Sequence, residues 1–280
     1  MKVEDCIVTV ERRSVGGCLD LAFVFAREFA GPLFRLWLIC AVPSCGLVWL
    51  MASLSASMLL PFSLVIFMFF SAMFNALLVS CMGPQVFGVP ISVRAAVRAW
   101  RKRFFGWLLL TMVTRFFQAI TGFCFVIPSV FVTAFAGHVP EVLLLEQAPL
   151  NGVVTRLNWL SLGGGYSRNL GRVVTLLLYW ATLSTGLLLI MDVCASILLK
   201  RPLVFTILFE GSSDRVDRFY QLTVDDPSFL TVIQLALWLP YPVIRLAWFF
   251  CYLDQRIRNE CWDLQLQFRA EAARLGGTAG

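Results

Sequence analysis

Several stretches of this chain run for about 20 residues without a charged side chain, the length one helix needs to cross the roughly 30 Å hydrocarbon core of a bilayer. Helices of a soluble core carry apolar stripes broken every few residues, and these runs are unbroken. Hydrophobic side chains make up 59% of the 280 residues and charged ones only 14%, too little polar surface to coat a water-soluble globule. The expected fold is all-α: a polytopic integral membrane protein of about six transmembrane helices with cytoplasmic amphipathic helices.

The apolar runs place spans at 33–54, 60–82, 104–126, from there to 145, 170–199 and 229–253. The third and fourth are divided at Ile127-Pro128-Ser129, where proline lacks a donor and clashes with the preceding turn. Orientation follows from lysine and arginine, which hold loops in the cytoplasm. With both termini inside, that side takes Lys2, Arg12, Arg13 and Arg27, then Arg94, Arg98, Arg101, Lys102 and Arg103, then Arg156, Arg168 and Arg172, and finally Arg256, Arg258, Arg269 and Arg274. The opposite side takes two hairpin tips without a basic residue and the loop 200–228, in which carboxylates outnumber cations. A short interfacial helix is expected there at 204–209. Charges scattered through the first 32 residues do not form a signal peptide's short basic head and apolar core, so cleavage on export is not expected.

The net charge of +6 does not point to nucleic acid, because the basic residues flank spans and form no groove-binding tract. Membrane phospholipid is the expected anionic neighbour. Nine cysteines show no C-x-x-C pair, and His138 is the only histidine, so no zinc site, iron–sulfur site or other cofactor is expected. There is no G-x-S-x-G elbow, H-E-x-x-H helix or dinucleotide fingerprint, and no catalytic residues are assigned.

Three times an amphipathic segment precedes a membrane hairpin. In the middle copy Val93, Val97, Trp100 and Phe104 share one helical face, while Arg94, Arg98, Arg101 and Lys102 share another. That is the pattern of a helix in the headgroup layer, its cations toward anionic lipid. Pro90/Pro149, the candidate N-caps Ser92/Asn151 and Trp100/Trp159 align the second and third copies at one offset. One membrane domain, 1–253, would then comprise internal units 14–83, 92–146 and 151–253.

Ionisable groups at mid-bilayer cost roughly 2.5–3.5 kcal/mol each and need a partner or a wet surface. Arg115 and Gln118 in the third span and Asp192 in the fifth form the candidate intramembrane polar cluster. A buried Arg115–Asp192 pair is one expectation, and snorkelling to an interface is the other. Arg35 and Arg245 lie near enough to span ends to snorkel. His138 has no second histidine and no carboxylate before Glu141, which favours a hydrogen-bonded structural role over a proton relay. The run Gly163-Gly164-Gly165 lacks the Lys-Ser/Thr of a phosphate-binding loop and reads as an uncoupler ahead of the fifth span.

From Leu253 onward Leu253, Ile257, Cys261, Leu264, Phe268, Ala272 and Leu275 line one helical face. Residues 254–280 are therefore expected to form a cytoplasmic amphipathic helix and short tail, with Asp254–Arg258 and Arg256–Glu260 as i, i+4 pairs on its exposed side. It either docks on the membrane and its neighbours or binds a partner protein.

The tail from Tyr252 through Asp254, Arg256, Arg258, Glu260, Trp262 and Asp263 resembles the closing signature of a group of uncharacterised bacterial multi-pass membrane proteins. They are related to the membrane domain attached to some glycerophosphoryl diester phosphodiesterases. Ile127-Pro128, Pro140-Glu141-Val142 and Leu145-Glu146 extend the resemblance. It implies a six-helix protein of the bacterial cytoplasmic membrane. The phosphodiesterase domain is lacking, so that activity is not implied. Three functions stay open: a non-enzymatic scaffold or accessory subunit, a small transporter or lipid-handling protein with a polar path at Arg115, Gln118 and Asp192, and an intramembrane enzyme acting on lipid headgroups.

Overall fold

The computed structural model describes residues 11–54, 59–86, 93–124, 126–162, 164–200 and 227–260. Every regular element among them is a helix: α1 (Val15–Glu28), α2 (Ala30–Leu54), α3 (Leu59–Val86), α4 (Val93–Lys102), α5 (Phe104–Cys124), α6 (Val126–Ala136), α7 (Val153–Ser161), α8 (Gly165–Leu199), α9 (Pro227–Trp238) and α10 (Tyr241–Glu260). Six stretches are long and apolar enough to cross a membrane: Ala30–Leu54, Leu60–Val86, Phe104–Thr121, Ile127–Leu145, Gly165–Leu198 and Pro227–Glu260. The protein is thus a helical membrane-spanning protein of the all-α class. The expected interfacial helix at 204–209, the tip at 55–57, Ser92 and the tail beyond Glu260 lie outside the described residues.

The chain forms two compact units. The first comprises Met1–Leu33, Asn75–Leu176 and Arg245–Gly280, and the second Phe34–Phe74 and Leu177–Ile244.

In the second unit a helix break organises the packing. Pro240 and Pro242 have no N–H to offer to carbonyls four residues earlier, so the chain turns at Leu239-Pro240 between α9 and α10. In hydrocarbon a freed carbonyl must find another donor. An indole supplies it: Trp37 Nε1 donates to the carbonyl of Trp238 (2.9 Å), which Pro242 leaves without its helical donor, and Trp180 Nε1 donates to the neighbouring carbonyl of Leu237 (3.1 Å). Ser44 Oγ accepts from Gln234 Nε2 (2.7 Å) and Trp238 Nε1 (3.1 Å). Phe67 packs among Trp180, Trp238 and Tyr241 at centroid distances of 5.7, 5.3 and 5.5 Å.

In the first unit the short amphipathic helices turn their apolar stripes into protein. Cys18, Ala22 and Phe25 of α1 are buried, with Phe25 edge-on to Phe250 at 5.5 Å. Val153, Leu157 and Leu160 of α7 follow the same i, i+4, i+7 spacing and are buried too. Ser14 caps α1, accepting from the backbone N–H of Gly17 at 3.2 Å. Asn151, expected to cap α7, instead sits inside a one-turn 3-10 helix, Leu150–Gly152, and Gly152 occupies the cap position. Proline at 149 starts that turn, so the α-helix begins one residue later than the offset with Ser92 suggested.

The fifth span begins at Gly165, earlier than the apolar run implied. Gly164 takes φ +77°, a left-handed conformation favoured by glycine, and this turns the chain directly into α8. Gly165 then passes so close to α7 that a Cβ would stand 2.2 Å from the carbonyl oxygen of Leu160. Backbone cannot yield as a side-chain tip can. Gly165→Ala is expected to destabilise the protein by about 1–3 kcal/mol, the usual cost of overpacking. A thermal midpoint in detergent equal to that of the parent protein would refute the close approach.

Candidate functional site: a buried ionic network

The chemistry of the first unit gathers where α10 meets α7, α8 and the segment that follows α6. That segment winds as a π-helical turn, Glu141–Leu145, and ends at Gln147 with φ 57°. The turn buries Glu141 completely and leaves Glu146 close by. Arg156 of α7 grips Glu146 side-on, with Nε donating to Oε2 (2.6 Å) and Nη2 to Oε1 (3.0 Å), and it also pairs with Glu260. Its guanidinium lies 4.4 Å above the Trp159 ring. Burial pulls the Arg156 pKa down, but the hydrogen bonds it donates to Glu146 and Glu260 and their charges outweigh it and hold the pKa above its ordinary value. Arg256 reaches Glu146 at 3.3 Å and Glu260 at 2.8 Å, and the Tyr252 hydroxyl donates to Glu146.

A second knot forms around Asp254, whose side chain is only 1% exposed. It accepts from Arg172 of α8, from Arg258 Nε (2.8 Å) and from the backbone N–H of Arg13 (2.7 Å). Arg258 returns a bond to the Arg13 carbonyl at 3.1 Å, so the segment before α1 is stitched to α10. Arg172 also donates to the Cys251 carbonyl (2.9 Å). Leu160, at the end of α7, has its carbonyl bonded by Gln255 (2.7 Å) and Asn259 (3.1 Å).

The third knot is Arg245 with Glu141, a pair whose side chains are 5% and 0% exposed. Beside it His138 stacks on Trp248 at 4.3 Å, with 11° between the planes.

Three expectations are corrected here. The pairs Asp254–Arg258 and Arg256–Glu260 exist, but Asp254 is buried, because Arg172 and the Arg13 backbone close over what would have been the open side of the helix. Arg245 does not snorkel to an interface, since a carboxylate one helix away holds it inside. His138 is buried in a structural role, stacked on Trp248 with the Asn169 side chain beside it, and among the described residues neither ring nitrogen has a partner in good hydrogen-bonding geometry. The roles of Arg156 and Arg172 were missed altogether, having been read only as orientation signals. The clue available was the shortage of solvent for Glu141, Glu146 and Asp254: a carboxylate bordering an apolar run demands a cation from elsewhere.

Of the intramembrane candidates, Arg115 Nη1 donates to Gln118 Oε1 (3.2 Å), and Gln118 Nε2 donates to Thr133 Oγ1 (2.9 Å), which ties α5 to α6. Asp192 is fully buried and belongs to the second unit. On α4 the cations Arg94, Arg98, Arg101 and Lys102 are exposed and, with Val97, line a cavity of about 560 Å³. The other side of that helix packs inward, with Ala96 fully buried and Trp100 edge-on to Trp107 at 5.1 Å. Among the described residues no group of three or more His, Cys, Asp or Glu side chains is placed to hold a metal ion.

Compared with family models, curated proteins and solved structures, the chain matches none.

Proposed function

We propose that this protein is a non-enzymatic scaffold or accessory subunit of the bacterial cytoplasmic membrane, with both termini in the cytoplasm and the basic face of α4 on anionic phospholipid. The observation that carries the reading is the closed state of the network: Glu146, Asp254 and Glu260 are each held by two arginines. Carboxylates so engaged serve to lock helices together and are poorly disposed to exchange protons with a substrate. The exposed cations of α4 supply the lipid contact, since each lysine or arginine near an anionic surface contributes about 1 kcal/mol. A partner protein bound at residues 254–280 completes the reading.

Native mass spectrometry of the purified protein tests the lipid arm. Phosphatidylglycerol is expected to stay bound through activation energies that strip phosphatidylcholine, and Arg94→Gln/Arg98→Gln/Arg101→Gln/Lys102→Gln is expected to abolish that difference. Equal retention of the anionic lipid by the parent and the fourfold variant would remove α4 from the lipid surface.

A second reading, a small transporter or lipid-handling protein, draws on the burial of Asp192 inside a long apolar helix. Asp192→Cys in a cysteine-free background separates the two. Reaction with a membrane-impermeant thiol reagent favours a hydrated path, and silence favours the scaffold.

A further inference from the structure

The knot around Arg245 differs from the other two in being incomplete. Arg245 commits one nitrogen to Glu141 Oε1, and its Nε and Nη1 meet no partner among the described residues. Glu141 Oε2, both nitrogens of His138 and Asn169 Oδ1 are likewise buried without one. All four residues are at least 95% buried, by relative exposures of 5% for Arg245, 0% for Glu141, 1% for His138 and 2% for Asn169. Asn169 spends its Nδ2 on the carbonyl of Ala134 (3.4 Å), and its side chain lies beside the His138 ring, which also feels the Arg245 charge. Aromatic rings wall the place: Trp248 stacks on His138, and Tyr252 lies 5.4 Å from it.

Buried polar groups in folded proteins are nearly always satisfied, and orphaned charged ones are especially costly. Six such atoms in one cluster mark a place where something is bound. Its chemistry follows from the atoms themselves. The arginine positions donate, the carboxylate and amide oxygens accept, and a neutral imidazole does one of each. An anion would face Glu141, and a cation would face Arg245. The occupant must be neutral and must both donate and accept. Buried water makes about three hydrogen bonds per molecule, so about two waters would satisfy the six atoms.

We infer that His138, Glu141, Asn169 and Arg245 form an enclosed hydration site holding a small cluster of ordered waters inside the helical bundle of the first unit. The inference is independent of the lipid-surface reading. It gives His138 its place: the ring seals the site against Trp248 on one face while its nitrogens serve the waters at the edge.

The test is X-ray radiolytic footprinting of the full-length protein in lipid nanodiscs in ¹⁸O-water, because a pulse creates hydroxyl radicals from waters held beside a side chain. Oxidation carrying ¹⁸O at Trp248 and Tyr252 is expected severalfold above that at Trp238, an indole as fully buried as Tyr252 whose nitrogen is already bonded to Ser44. Labelling of Trp248 and Tyr252 no greater than that of Trp238 would overturn the site. His138→Phe combined with Asn169→Leu is expected to reduce their labelling to the Trp238 level. Undiminished labelling in that variant, with an unchanged elution profile, would also overturn the assignment. If the double variant does not fold, the comparison within the parent protein decides alone.

Discussion

Asp254→Ala is expected to cost about 3–5 kcal/mol of stability, the usual penalty for stranding a buried charge. Arg172 is the charge left behind: at 5% exposure it has no route to water, and its remaining bond is to the Cys251 carbonyl. The Arg13 backbone N–H loses its acceptor at the same time, which frees the segment before α1. Arg258, at 27% exposure, can turn outward and suffers least. The measurement is the thermal unfolding midpoint in detergent by fluorescence-detected size exclusion, compared with Asp254→Asn, which retains an acceptor oxygen. The alanine variant should unfold well below the asparagine variant. Identical midpoints for Asp254→Ala and the parent would show that Arg172 is not held by this carboxylate.

The second large effect concerns Glu141 and Arg245 and has the opposite sign for one variant and two. Glu141→Leu alone leaves a buried guanidinium without its carboxylate, and Arg245→Met alone leaves a buried carboxylate without its cation, so each should cost about 3–5 kcal/mol. Together they substitute apolar volume for the pair, a change that is often neutral or stabilising. The double variant is therefore expected to be more stable than either single one, with a coupling well beyond the roughly 0.5 kcal/mol that independent sites show. Simple addition of the two single losses would sink the claim that these groups face each other.

How much of this was visible in the linear chain depends on the range of the interaction. The solvent was legible, because a bilayer imposes its thickness on every run of apolar residues and the six spans came from that alone. So was the two-faced character of α4, whose cations recur with helical spacing inside ten residues. The pairings were not legible. Arg172 lies 82 positions from Asp254, Arg245 lies 104 from Glu141, and Tyr252 lies 106 from Glu146. No local period carries such information, and arginines near span ends look alike whether they anchor a loop or neutralise a neighbour. The pairs Asp254–Arg258 and Arg256–Glu260 could be seen at i, i+4, yet their burial could not, since that depends on α7 and α8 closing over them. Arg115 and Gln118 were legible as members of one polar cluster, but the pair expected was Arg115 with Asp192; the bond between Arg115 and Gln118 and the bond onward to Thr133 were not, the second requiring the α5–α6 hairpin to form.

The placement of the network has a consequence for biosynthesis. Its cations on α7 and α8 and its carboxylates at Glu141 and Glu146 leave the ribosome well before Arg245, Asp254, Arg256 and Glu260. Glu146 and Arg156 can pair as soon as α7 forms, whereas Glu141 and Arg172 lack their partners until α10 emerges, and a lone charge is costly in a greasy interior. Among the elements that carry this network α10 is translated after the others and therefore acts as its closing key.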